Sequence, residues 1–219
     1  MNAHRLLVIL VGVCLLAASP ARAADAAATV PEPPPAGRCD HVYVFLVNGI
    51  DPLNLCHFDK MPDYLRSQGY DHVTMGRLNT SRRPFYREIR RIRAADPCAR
   101  VVLVGFSAGA NVVCRVTDDL AADGMQVDLL VYLGGCMVSN SPAWKPRNAG
   151  RVVNIRDSGL VFLGGGLMSS GDDVDGVNNV QIPGVSLHVD TPAQQVTQET
   201  LARELAAQAA AVPDPPAKP

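Results

Sequence analysis

The stretch that decides the fold runs Val101-Val102-Leu103-Val104-Gly105-Phe106-Ser107-Ala108-Gly109 and continues through Val113, Val116 and Leu120. Val101 to Val104 is a short, unbroken apolar run, as a strand buried on both faces requires. Val113, Val116 and Leu120 recur at helical spacing and mark the inner side of a helix from Gly109 that Gly124 can end. Between strand and helix lies the pattern G-x-S-x-G. A sharp strand-to-helix turn crowds the backbone, so glycines are needed two positions either side of Ser107. Such a turn lifts the hydroxyl above the sheet. It also aims the Ala108 N–H and the start of the helix at a place where negative charge develops on an acyl oxygen. The alternative is a tight glycine turn with a passive serine.

Outward from this stretch, strands and helices alternate. His41 to Val47 reads as a buried strand, Phe58 to Gln68 as a helix ended by Gly69, and His72 to Met75 as a weak strand. Pro84 is placed to open a helix that stops before Pro97, with Phe85, Ile89 and Ile92 inward. Val127 to Leu133, Val152 to Ile155 and Val185 to Leu187 are further strands. Thr191-Pro192 offers a cap and a first-turn proline for a closing helix that buries Val196, Leu201 and Leu205. Repeated βα units of this length imply an α/β fold, a doubly wound, mostly parallel sheet with helices on both faces.

The flanks are different in kind. Arg5, the apolar run Leu6 to Ala18 and Ala21-Arg22-Ala23 have the anatomy of a secretory signal peptide, cut after Ala23. Residues 24–38 are a Pro/Ala-rich linker, 39–211 a single folded domain, and 212–219 a proline-rich tail. The expectation is a secreted or periplasmic protein without a transmembrane segment, since no stretch reaches the ~20 apolar residues of a spanning helix. The formal charge is −1, and loss of Arg5 and Arg22 with the signal makes it −3. No strong electrostatic partner follows. The arginines at 82, 83, 87, 90, 91 and 93 are interleaved with a buried stripe and read as a solvated helix face, so no nucleic-acid partner is expected.

At Val47-Asn48-Gly49-Ile50, the serine turn, Leu133-Gly134-Gly135 and Asp175 to Ile182 ahead of His188, the chain resembles the α/β-hydrolase superfamily, especially its small lidless bacterial lipases. The resemblance implies a minimal α/β-hydrolase fold of about six strands in one domain. It also implies that the N–H groups of Ile50 and Ala108 form an oxyanion hole. Two departures stand out: Asn48 where these enzymes carry histidine, and one extra residue, Leu187, before His188.

Serine is a weak nucleophile and needs a base held in place by an acid. In this superfamily the chain order is Ser, then Asp or Glu, then His. His188 is the only histidine after Ser107. Asp157 follows a strand and is the first choice for the acid; Asp172, Asp173 and Asp175 lie in the loop before the last strand, with Asp175 next in line. The implied activity is cleavage of a small-molecule ester or lipid through an acyl-enzyme, with no cofactor. A thioesterase or amidase on the same residues, or a non-catalytic envelope protein on the same scaffold, are the rivals.

No metal site is expected: Asp173, Asp175 and Gly176 echo a calcium loop, but Gly171 and Ile182 fall where oxygen ligands are required. Five of the six cysteines follow the signal, with no C-x-x-C pair. Because the strands after Cys39 and Cys98 are parallel neighbours in the superfamily, a disulfide between these two is expected; it would contribute on the order of 4 kcal/mol. The 137–150 connection, with Pro142 and Pro146, is too short for a lid of several helices. The loop 158–179 combines Leu160 to Leu163, Leu167 and Met168 with the run Gly164-Gly165-Gly166, and reads as a mobile apolar wall beside an open site. Oligomeric state leaves no trace in the sequence.

Overall fold

The computed structural model describes residues 37–51, 53–135, 144–157, 161–163, 166–168, 173–184 and 187–213. The expected signal peptide, most of the linker and the last six residues of the tail lie outside them. Six parallel strands form one sheet in the order β2-β1-β3-β4-β5-β8: β1 (Val42–Val47), β2 (Val73–Gly76), β3 (Arg100–Phe106), β4 (Val127–Leu133), β5 (Ala149–Arg156) and β8 (Asn178–Gln181). Among the described residues four α-helices accompany them: α1 (Met61–Ser67), α2 (Arg82–Ala95), α3 (Gly109–Ala122) and α4 (Gln195–Ala210).

Strand alternation divides the core into two layers. Val44 and Leu46 of β1 face Met61 and Leu65 of α1 and Leu201 and Leu205 of α4. Phe45 and Val47 face the other way, against Phe85 and Ile89 of α2 and Val113, Val116 and Leu120 of α3. Each fully buried Leu, Ile or Phe stabilises by roughly 1.5–3 kcal/mol, so truncating β3 or β4 would cost most. The apolar stripe of α2 is buried as its periodicity requires. Arg82, Arg90, Arg91 and Arg93 are engaged in ion pairs: Arg82 forks onto Asp119 of α3 at 2.7 Å, and Arg90 reaches Asp123 at 3.3 Å. Gly69 and Gly124 take positive φ, 90° and 69°, where α1 and α3 end.

The two ends of the described fold meet at the amino edge of the sheet. Arg38 donates to the Ala210 carbonyl at 2.8 Å, and Arg100, at the start of β3, donates to that of Ala211. Among the described residues no helix is long and apolar enough to cross a membrane.

Four expectations need correction. Among the described residues the last strand is Asn178–Gln181, a segment expected to be loop; of the strand expected at Val185 to Leu187, residues 185 and 186 lie outside the described residues. A polar edge strand gives no hydrophobic pattern; it is held by its ladder to β5 and by Asn179, which accepts from Asn154 at 2.9 Å and exchanges bonds with Val174. α2 begins at Arg82, so Pro84 sits third, where the missing N–H would have had no helical partner anyway. Thr191 and Pro192 do not open α4. They belong to a 3-10 helix, His188–Ala193, and Gln194 precedes α4.

The fourth correction is the disulfide. Cys39, Cys56, Cys98 and Cys114 are all free thiols. β1 and β3 do pair, Val42 against Arg100, but a 3-10 turn at Cys39–His41 buries Cys39 in the layer under α1 and α4 beside Tyr70. Cys98 sits in the α2–β3 turn, its N–H held by Asp96 at 3.0 Å. The loop read as an apolar wall contains an antiparallel hairpin, β6 (Val161–Leu163) with β7 (Gly166–Met168), while 158–160, 164–165 and 169–172 lie outside the described residues.

Candidate active site

Ser107 stands at the end of β3 with φ 53°, a left-handed conformation that residues other than glycine rarely hold. Its N–H donates to the Leu133 carbonyl at 2.8 Å, tying the turn to β4. The neighbouring glycines leave no room for a side chain. A Cβ at Gly105 would lie 2.6 Å from the Ala110 backbone, and one at Gly109 would lie 2.1 Å from the Val47 carbonyl. One at Gly49 would lie 2.6 Å from the Ser107 Cβ. The 48–50 loop therefore lies directly against the serine.

That loop is fastened by its own side chains. Asn48, in the place where the resembling enzymes carry histidine, accepts the Gly49 N–H at 2.8 Å. Asp51 accepts the N–H groups of Leu55 at 2.8 Å and Cys56 at 3.1 Å, and the Cys56 thiol at 2.6 Å. Burial pushes the Asp51 carboxyl up, but the bonds from Cys56 and Leu55 outweigh it and leave the group below the usual carboxylate range. Burial, reinforced by the bond to Asp51, pushes the Cys56 thiol up to about 12. Ile50, Leu53 and Leu55 are exposed on the same loop, as is Leu187 beside His188. Neither the Ile50 nor the Ala108 N–H donates to another group among the described residues.

His188 and Asp157 meet across the carboxyl edge. Asp157 follows β5 and is 3% exposed; His188, 8% exposed, opens the 3-10 helix and shares a hydrogen bond with it, Nδ1 to Oδ2, of 2.9 Å. The imidazole stacks on Phe106, the residue before the serine, with centroids 4.9 Å apart and planes 21° off parallel. Gly134, at φ 50°, lets this pair pass: a Cβ there would be 2.7 Å from Asp157 Oδ2 and 2.8 Å from His188 Cε1. Asp173 is ion-paired with Arg156 at 2.9 Å, Asp175 is exposed, and Asp172 lies outside the described residues. Among the described acids of that set, Asp157 is the one hydrogen-bonded to His188.

Sequence reading missed Thr191, whose hydroxyl donates to the same Asp157 Oδ2 at 2.6 Å. The spacing of three from His188 was visible, but a threonine before proline reads more readily as a helix cap. It also missed Asp51, which no motif marks. Among the described residues there is no cluster of three or more His, Cys, Asp or Glu that could hold a metal ion.

A parallel sheet with a strained serine turn after its third strand is the α/β-hydrolase fold. No protein-family model matches the chain, and no curated protein matches its sequence. Among solved structures it is similar to the esterase domain of a Rhodothermus marinus protein, at 12% identity and TM-score 0.50 over 80% of this chain and 90% of that one. Lower TM-scores relate it to a YdeN-like hydrolase from Pectobacterium atrosepticum (16% identity, 78% and 92% covered, 0.47) and to a cutinase-like protein from Cryptococcus sp. (14%, 78% and 95%, 0.42). At these identities the likeness is one of fold.

Proposed function

We propose that this chain is an exported serine hydrolase that cleaves carboxylic esters through an acyl-enzyme. The observation that carries the reading is the 2.9 Å bond between His188 Nδ1 and Asp157 Oδ2, formed at the sheet edge where the strained turn presents Ser107. With Nδ1 committed to the carboxylate, Nε2 is the nitrogen left to take the serine proton. Ser107 Oγ attacks the ester carbonyl, His188 receives the proton, and the oxyanion is held by the amides of Ile50 and Ala108. The proton passes to the departing alcohol. Water then attacks the acyl-serine by the same route and releases the acid.

The exposed Ile50, Leu53, Leu55 and Leu187 favour an apolar acyl group over a charged one. Esters rank above thioesters and amides on the resemblance to lipases and esterases alone, since the same residues would serve all three. An enzyme of the small lidless lipase type is the closest description of this arrangement.

Treatment of the full chain with a fluorophosphonate probe tests the reading. Modification at Ser107, abolished in Ser107→Ala without loss of the folded circular-dichroism spectrum, is expected, together with loss of short-chain ester hydrolysis by at least about a thousandfold. A folded chain that stays unlabelled and inert would be a binding scaffold instead.

A further inference from the structure

We propose that Thr191 is a positioning residue of this site: its hydroxyl fixes the one Asp157 oxygen that holds His188. A 3-10 helix has three residues per turn, so side chains three apart stand one above the other. His188 and Thr191 are so spaced in the 3-10 helix His188–Ala193. They therefore face Asp157 together, through Nδ1 at 2.9 Å and Oγ1 at 2.6 Å, on the same Oδ2.

Thr191 is fully buried and Asp157 nearly so. A carboxylate out of water is stabilised by each donor it keeps, and a bond to a charged group is stronger and shorter than a neutral one. With two donors converging on Oδ2, rotation of the carboxyl would break both bonds at once. The imidazole is thereby held in one tautomer and one plane, against Phe106. An α-helix in this segment would place positions 188 and 191 about 60° apart around the axis and separate the two donors. The short helix is thus part of the site's construction.

The inference rests on the proposed hydrolase reading, and two readouts keep them apart. In the full-length protein, Thr191→Val removes the hydroxyl at nearly constant volume, while Thr191→Ser keeps it. On a dissolved p-nitrophenyl ester, the valine variant is expected to lose about tenfold in kcat at nearly unchanged KM, and the serine variant to stay within about threefold of wild type. The low-field proton resonance of the His188–Asp157 bond is expected to shift in the valine variant and return in the serine variant. Should the valine variant not fold, Thr191→Ala against Thr191→Ser isolates the same hydroxyl. Equal losses in hydroxyl-bearing and hydroxyl-free variants, or an unmoved resonance and kcat, would overturn the positioning role. If wild type hydrolyses no ester while the resonance still responds to the hydroxyl, the positioning role stands and the hydrolase reading falls.

Discussion

Ser107 occupies a backbone conformation that costs a non-glycine residue of order 1–3 kcal/mol, and the surroundings hold it there. Gly105 and Gly109 allow neighbouring backbone to press in, and the Ser107 N–H is anchored on Leu133. A glycine in place of the serine would adopt φ 53° without that cost, whereas alanine would keep it. Ser107→Gly is therefore expected to be more stable than Ser107→Ala by about 0.5–1 kcal/mol in urea unfolding, although both lack the hydroxyl. Equal midpoints, or a less stable glycine variant, would show that the turn stores no strain. The same logic explains Gly134, whose positive φ and missing side chain leave the space through which Asp157 and His188 meet.

At the scale of elements, the described residues between Asp51 and Cys56 are organised without regular structure. One carboxylate takes two backbone amides and a thiol, in a segment where Asn54 and His57 hold positive φ of 52° and 47°. Because the folded pKa of Asp51 lies below its ordinary value, its contribution to stability is present above about pH 4 and is lost as the pH falls through the folded value. The gap in urea midpoint between wild type and Asp51→Asn is thus expected to be full at pH 7 and to shrink on acidification below about pH 4. A gap that is unchanged at about pH 3 would mean that the hydrogen bonds do not depend on the charge. The 3-10 helix at His188–Ala193 is the other irregular element on which the site depends, and both lie just past a strand's carboxyl end.

For the whole molecule, the layers were legible because burial imposes period. β1, β3, β4 and β5 are buried on both faces and appear in the sequence as apolar runs, and α2 and α3 appear as stripes. What escaped detection is what polar bonds hold. β8 is asparagine-rich and half exposed, and Thr191 is recognisable only once a 3-10 turn places it beside His188. Asp157 was separable from Asp175 by its position after a strand, and the Arg156 pair accounts for Asp173. The disulfide failed because strand neighbours fix the distance between chain segments but not the layer that each side chain enters. Burial raises the thiols of Cys39, Cys56 and Cys114, so these should react slowly with thiol reagents in the native protein. In denaturant without reductant, the thiols of Cys39, Cys56, Cys98 and Cys114 should all be alkylated, and reductant should leave the melting temperature unchanged. A Cys39–Cys98 bridged peptide would refute this.

The bond between Arg38 and the Ala210 carbonyl has a consequence for how the molecule can be displayed. It brings the first and last turns of the fold together on the side of the sheet opposite Ser107. Anything fused ahead of Gly37 or beyond Pro213 starts from that rear side, so a bead, a fluorescent domain or a cell-surface tether would present the serine outward. The same adjacency suits the chain to being rewired, its old ends spliced by a short linker and new ones opened in a surface loop, with every strand keeping its place in the sheet.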